Sequence, residues 1–234
     1  LMMTVAIYGH RGYPARFPEN SLQGFEYACE HGIDGIETDV QMSADGHLVI
    51  MHDERVDRTT DGTGWIADLT RTQLKGMRLA NGEHIPSLRE ALTVLSHYDV
   101  MVNIEFKTGK IRYPGIEALT QDYVEQFNMQ DRVIYSSFNH DSINVIHTLA
   151  PKMKTAWLTS RVLTGATLPS YLEAVHIEHY NSHLNKAQRV WTVDDPLKMK
   201  QLMRERYVTG IITNRFEEAM DMRDLVAKEA ETPV

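Results

Sequence analysis

The 234-residue chain holds a single cysteine, Cys29, so no intramolecular disulfide can form and the fold needs no oxidising compartment. Cys29 falls on the apolar stripe of an expected helix and reads as a small core residue rather than a nucleophile. No stretch approaches the ~18 consecutive apolar residues of a membrane span, so stable membrane insertion is not expected. Residues 1–5 carry neither a basic leader nor an apolar core of the secretory kind, and the cytoplasm is the expected compartment. Basic residues are outnumbered, with 24 Lys and Arg against 32 Asp and Glu, a formal net charge of -8. Such a surface has no general field for polyanions, which argues against nucleic acid as a partner. A phosphate ester would have to be held by local cations instead. Low-complexity segments, fixed-period repeats and Pro/Gly/Ser linkers are all missing, so residues 1–234 are expected to form one domain.

What the chain does contain is a regular alternation. β-Branched runs at 5–9, 35–39, 100–106, 132–136, 155–158, 174–177, 189–193 and 210–213 predict eight strands. Helical stripes lie between most of them. Asn20, with Gln23 at the reciprocal position, is expected to cap Leu22, Phe25 and Cys29. Ser87 and Glu90 form a capping box before Leu88, Ala91, Leu92 and Leu95. Ile116, Leu119, Tyr123 and Phe127 make another stripe, and Ile143, Ile146 and Leu149 one that Pro151 stops. Asp195-Pro196 opens a further helix, and 216–226 closes the chain. Eight strands alternating with helices predict a TIM (β/α)8 barrel. A doubly wound open sheet fits less well, because Gly9-His10-Arg11-Gly12 is not a dinucleotide-binding turn.

Residues 40–86 break the pattern. Ala44-Asp45-Gly46 is a turn signal between two apolar runs, which predicts a hairpin continuing the second strand. A turn centred near Asp45 returns His52 opposite Thr38 and Asp39. A short helix is expected over 69–77. The barrel therefore carries a small inserted cap-like segment after the second strand, at about 41–86, on the rim where barrel active sites sit.

Glu37 and Asp39 are two apart on a strand and share a face. Close carboxylates repel unless a cation lies between them, and hard oxygen ligands suit Mg2+ or Ca2+. An isolated pair of this kind is more often explained by an ion pair with Arg or Lys. On the third strand Asn103, Glu105 and Lys107 share a face, and Glu105 sits in a strongly apolar run. It is explained equally by an ion pair with Lys107 or by a third ligand to the same cation. His10 and Arg11 end the first strand, and His52 is followed by Asp53, which could orient it. Phosphodiester cleavage needs a base for the nucleophile, an acid for the leaving alkoxide, and positive charge on the phosphoryl oxygens. His10 and His52 suit the first two tasks; a cation with Arg11 and Lys107 suits the third. His176, His179 and His183 cluster in sequence without the carboxylates of a second metal site, apart from Glu178.

At these residues the sequence resembles the glycerophosphodiester phosphodiesterase family, in its cytoplasmic bacterial type. The matching motifs are His10-Arg11-Gly12, Pro18-Glu19-Asn20-Ser21, Glu37-Thr38-Asp39-Val40-Gln41, His52-Asp53, Arg58-Thr59-Thr60-Asp61-Gly62, Ile85-Pro86-Ser87-Leu88, Glu105-Phe106-Lys107, Ser137-Phe138, Trp191-Thr192-Val193 and Ile212-Thr213. The resemblance implies hydrolysis of small-molecule glycerophosphodiesters to glycerol 3-phosphate and an alcohol, with His10 and His52 as the acid/base pair. It implies one divalent cation, Mg2+ or Ca2+, on Glu37, Asp39 and Glu105. Arg11 and Lys107 would contact phosphate, Glu19 would support the site, and Trp191 would wall the glycerol pocket. It also implies that the glycerol 2-hydroxyl attacks first, giving a cyclic phosphate that water opens.

Three positions depart from the family pattern: Ser21 replaces Thr, Asp194 replaces Asn after W-T-V, and Asn214 replaces Asp after Thr213. The last two are expected on the rim, with Asp194 adding negative charge near the pocket. Two other readings compete, a phospholipase C- or D-like barrel and an inactive barrel binding a phosphate metabolite. The first lacks a membrane-docking stretch; the second lacks any missing site residue. A homo-oligomer is left open.

Overall fold

The structure is a computed structural model and describes residues 4–163 and 168–232. In chain order the elements are β1 (Ala6–His10), α1 (Leu22–Glu30), β2 (Gly35–Met42), β3 (Leu48–Ile50), α2 (Arg71–Lys75), α3 (Leu88–Leu95), β4 (Met101–Phe106), α4 (Ile116–Gln126), β5 (Val133–Ser137), α5 (His140–Leu149), β6 (Lys154–Thr159), β7 (Ala174–Ile177), β8 (Gln188–Val190), α6 (Pro196–Leu202), β9 (Val208–Thr213) and α7 (Phe216–Glu231). The sheet runs β1-β9-β8-β7-β6-β5-β4-β2, and β1 pairs with β2 to close it. All eight barrel strands are parallel to their neighbours, and β3 is an extra antiparallel strand on β2. The eight expected strands are thus present in the expected barrel.

Alternation along each strand sorts the side chains. Ile7, Ile36, Val102, Ile104 and Tyr135 join Phe25, Leu92, Ile116 and Phe216 of the helices in one apolar layer. Fully burying each such aliphatic group contributes about 1.5–3 kcal/mol. The alternate residues of the same strands fill the barrel. Gly35 and Gly210 make room there: a Cβ on Gly35 would lie 2.5 Å from the Tyr8 ring, and one on Gly210 3.0 Å from Arg189 Cγ. Arg189 crosses the interior, its guanidinium 5.6 Å from the Tyr8 ring centroid and donating to both Glu173 oxygens at 2.7 Å.

The hairpin is present with the expected register, Val40 opposite Ile50 and Met42 opposite Leu48. The Met51 amide donates to the Asp39 carbonyl at 3.2 Å, which brings His52 back to the rim beside β2. The inserted segment has its own apolar cluster of Val49, Met51, Val56, Ile66, Leu74 and Ile85. Its expected helix over 69–77 is shorter, being α2 with a Thr70–Gln73 capping box. Strand pairing in β8 ends at Val190, so Trp191 lies beyond the strand rather than within it.

The start of α1 differs from expectation. Ser21, not Asn20, is the cap, its hydroxyl accepting from the Gly24 amide at 3.1 Å. Asn20 has a left-handed φ of 54° and turns its side chain toward β2. Gln23 does not fill the reciprocal position; Glu83 accepts the Leu22 and Gln23 amides at 3.1 and 3.3 Å. The expected capping box at Ser87–Glu90 and the expected cap-then-proline start at Asp195-Pro196 are both formed. Ser21→Ala should lower the unfolding free energy by about 1 kcal/mol in urea titration, and Gln23→Ala should leave it nearly unchanged.

Candidate active site

β2 pairs with β4 so that Glu37 lies beside Asn103 and Asp39 beside Glu105. One carboxylate oxygen each from Glu37, Asp39 and Glu105 falls within a group whose atoms are all within 4.8 Å of one another, and all three residues are buried. Burial, then the charges of Asp39 and Glu105, push the Glu37 carboxyl well above the usual carboxylate range. Burial and the Asp39 charge push Glu105 up to about 8. Burial also opposes charge on Asp39, but His52, Lys107 and Arg11 hold its carboxyl below the usual range. Asp39 Oδ1 is buried and has no hydrogen-bond partner. A cluster of hard oxygens, one of them orphaned, fits a divalent cation of the Mg2+ or Ca2+ type. The alternative ion pair is also present, with Lys107 Nζ 3.4 Å from Glu105 Oε1. Glu105 thus stands both in the carboxylate group and beside Lys107.

The His10-Arg11-Gly12 turn ends β1 above this cluster. Arg11 takes a left-handed φ of 53°, and its amide donates to Glu37 Oε2 at 2.9 Å. Its guanidinium pairs with Glu19 at 2.5 Å and lies 3.9 Å from Asp39 Oδ2. Gly12 has φ 87°, and a Cβ there would meet the Phe25 ring at 2.9 Å. His10 Nδ1 lies 2.8 Å from Asn214 Oδ1. Burial and then the Arg11 charge lower the pKa of His10.

On the inserted segment His52 Nδ1 lies 2.7 Å from Asp53 Oδ1. Asp53 is gripped by Arg58, whose Nε and Nη2 donate at 2.8 and 3.0 Å. Arg58 also pairs with Glu19. An Arg11–Glu19–Arg58–Asp53 chain thus ties the first barrel turn to the inserted hairpin, and Asp53 leaves Nε2 as the unengaged nitrogen of His52.

One cleft at the mouth is lined by His10, Glu37, His52, Glu105, Phe138 and Trp191, among others. Arg11 lines it too and contacts Glu19 and Asp39, while Lys107 stands against Glu105. Phe138 is 47% exposed and meets Trp191 edge-on at 5.6 Å.

Four residues of this region were not among the sequence-derived site residues. Asn20 donates from Nδ2 to Asp39 Oδ2 at 2.9 Å and accepts from Thr38 Oγ1 at 2.8 Å. Its suitability as a helix cap masked that role. Asn103 and Phe138 line the cleft, and alternation with Glu105 was the available signal for Asn103. Asn214 touches His10, though sequence separation hides the contact. Asp194, expected on the rim with its charge near the pocket, lines a cleft with His10 and Arg11 and bonds Asn214 and Thr213. His176 is buried, while His179 and His183 are exposed, so the sequence cluster forms no metal site.

A model of the Glycerophosphoryl diester phosphodiesterase family matches residues 10–218. A glycerophosphodiester phosphodiesterase of Caldanaerobacter subterraneus subsp. tengcongensis is 37% identical, over 91% of this chain and 95% of its own. The solved glycerophosphodiester phosphodiesterase of Thermotoga maritima is 27% identical and superposes with a TM-score of 0.74 over 93% of this chain and 98% of its own. An Oleispira antarctica phosphodiesterase, solved in complex with the product sn-glycerol-3-phosphate, shares the fold at 24% identity, with a TM-score of 0.82 over 94% and 97% of the two chains. These likenesses define a barrel hydrolase of phosphoric diesters. The chain belongs to the glycerophosphodiester phosphodiesterase family. No helix among the described residues is long and apolar enough to cross a membrane.

The cleft floor makes a pH prediction. Burial and the Arg189 charge hold the His176 pKa well below the ordinary 6.5. Arg189 Nη1 faces its Nε2 at 3.2 Å, so a second ring proton has no acceptor there. The unfolded chain therefore binds the proton better, and stability is lost as pH falls below about 6.5 toward the folded pKa. His176→Gln should flatten the acid limb of a stability–pH curve in that window, by up to about 1.4 kcal/mol per pH unit.

Proposed function

We propose that this protein hydrolyses glycerophosphodiesters to glycerol 3-phosphate and an alcohol, with the whole chain acting as one barrel domain and residues 41–86 as its cap. The observation that carries the reading is the convergence of three buried carboxylates beneath the cleft that His10 and His52 line. Family membership and the product bound to the Oleispira antarctica enzyme support the substrate class.

Glu37, Asp39 and Glu105 would hold one divalent cation, Mg2+ or Ca2+. Such an ion, when bound, offsets negative charge on the phosphoryl oxygens. Arg11 and Lys107 add cationic donors on the protein side; Arg11 is held to its task by Glu19. Trp191 and Phe138 offer apolar faces to the glycerol carbons.

His10 is the better base. Its lowered pKa keeps the ring neutral near pH 7, and its partner Asn214 is uncharged. In our reading its Nε2 takes the proton of the attacking hydroxyl, the glycerol 2-hydroxyl in the route carried over from the family. His52, held at Nδ1 by the Asp53 carboxylate, protonates the leaving alkoxide from Nε2. Trapping a cyclic phosphate would check the choice of nucleophile.

A phospholipase-type barrel would prefer micellar lipid to soluble deacylated diesters. An inactive binding barrel would show no turnover with either metal. The test follows glycerol 3-phosphate release from glycerophosphodiesters after EDTA and re-addition of Mg2+ or Ca2+. Turnover should return with metal, and His10→Ala or His52→Ala should cut it by roughly two to four orders of magnitude with the fold retained. Near-wild-type turnover in either variant would contradict the assigned roles.

A further inference from the structure

Asn214 follows β9, and Asp194 lies in the loop after β8. Asp194 Oδ1 accepts the Asn214 backbone N–H at 2.8 Å and the Thr213 hydroxyl at 3.1 Å. Asp194 Oδ2 accepts Asn214 Nδ2 at 2.8 Å. A carboxylate only accepts, so it dictates which end of the Asn214 amide faces it. The NH2 end points to Asp194, and the oxygen is left facing His10 Nδ1 at 2.8 Å. An amide oxygen also only accepts. The proton of neutral His10 therefore sits on Nδ1, and Nε2 keeps its lone pair.

This chain of bonds carries information through three residues from a fixed charge to a ring nitrogen. It also joins the two late departures from the family pattern. Read singly, Asp194 and Asn214 are unrelated changes on the rim. In the structure they are bonded to each other, one carboxylate and one amide.

We propose that Asn214 and Asp194 are positioning residues for His10: the Asp194 carboxylate locks the Asn214 amide, and the amide oxygen holds the imidazole as its Nδ1–H tautomer with Nε2 free to accept a proton. The inference rests on the reading of His10 as the base. A clamp between the β8 and β9 loops would use the same Asp194 bonds, but would not require any particular tautomer of His10.

The experiment joins a spectrum to kinetics. Ring 15N shifts of histidine-labelled protein, with His10 assigned through His10→Gln, should show a protonated Nδ1 and an unprotonated Nε2. In Asn214→Ala the ring should lose that preference. With Mg2+ present, kcat for diester hydrolysis should fall roughly 10- to 100-fold in Asn214→Ala, with KM unchanged. Asp194→Asn should fall as well, since its amide no longer fixes that of Asn214. The exchange variant Asp194→Asn with Asn214→Asp should restore the Nδ1–H tautomer, because a carboxylate then accepts the Nδ1–H hydrogen bond directly. The proposal is overturned if wild-type His10 carries its proton on Nε2. It is also overturned if Asn214→Ala changes KM alone, or if the ring in the exchange variant is no more protonated on Nδ1 than in Asp194→Asn. Should Asn214→Ala not fold, the wild-type spectrum and the exchange variant still decide. Should the wild type hydrolyse no diester, the reading of function fails while the spectrum still tests the tautomer.

Discussion

Like charges that cannot escape one another govern this molecule. Parallel pairing of β2 with β4 sets Asp39 beside Glu105, and the two-residue repeat of a strand adds Glu37 to the same face. All three are buried. Burial and mutual repulsion push the carboxyls of Glu37 and Glu105 above the usual carboxylate range, while His52, Lys107 and Arg11 hold that of Asp39 below it. Much of the surrounding polar structure compensates for this. The Arg11 amide caps Glu37, the Asn20 amide caps Asp39, and Lys107 stands against Glu105. Arg11 and Lys107 thus stand against the buried carboxylates of an otherwise acidic protein.

The two histidines reach the mouth from different supports. His10 is part of a barrel strand, and the loops after β8 and β9 hold its Nδ1 side. His52 belongs to the inserted hairpin, whose apolar cluster and β2 register fix its height above the barrel. The Arg11–Glu19–Arg58–Asp53 chain couples these supports, so that neither histidine is placed independently of the other. Partners also differ in charge: a neutral amide for His10 and a carboxylate for His52. That difference favours unlike proposed roles for two chemically identical side chains.

Much of this was legible in the residues, because periodicity reports which side chains share a face. Alternation placed Glu37 with Asp39 and Asn103 with Glu105, and the Ala44-Asp45-Gly46 turn fixed the return of His52. What remained hidden were contacts between segments far apart in sequence. Asn20 was read as a helix cap because a short amide suits that position, yet Ser21 took it and freed Asn20 for Asp39. Asn214 is 204 residues from His10, and no local pattern reports such a pairing. The bond from Asp194 to Asn214 is hidden for the same reason. Glu83 at the start of α1 is a similar case, supplied from the inserted segment in place of the local Gln23.

The most direct test of the central claim is calorimetric titration of metal-free protein with Mg2+ and with Ca2+, repeated on Glu37→Gln and Glu105→Gln. The account predicts one site per chain for at least one of these ions, accompanied by proton release because Glu37 and Glu105 must ionise to bind it, and much weaker binding in both variants. Absence of binding by either ion, or binding that survives unchanged in both variants, would contradict it.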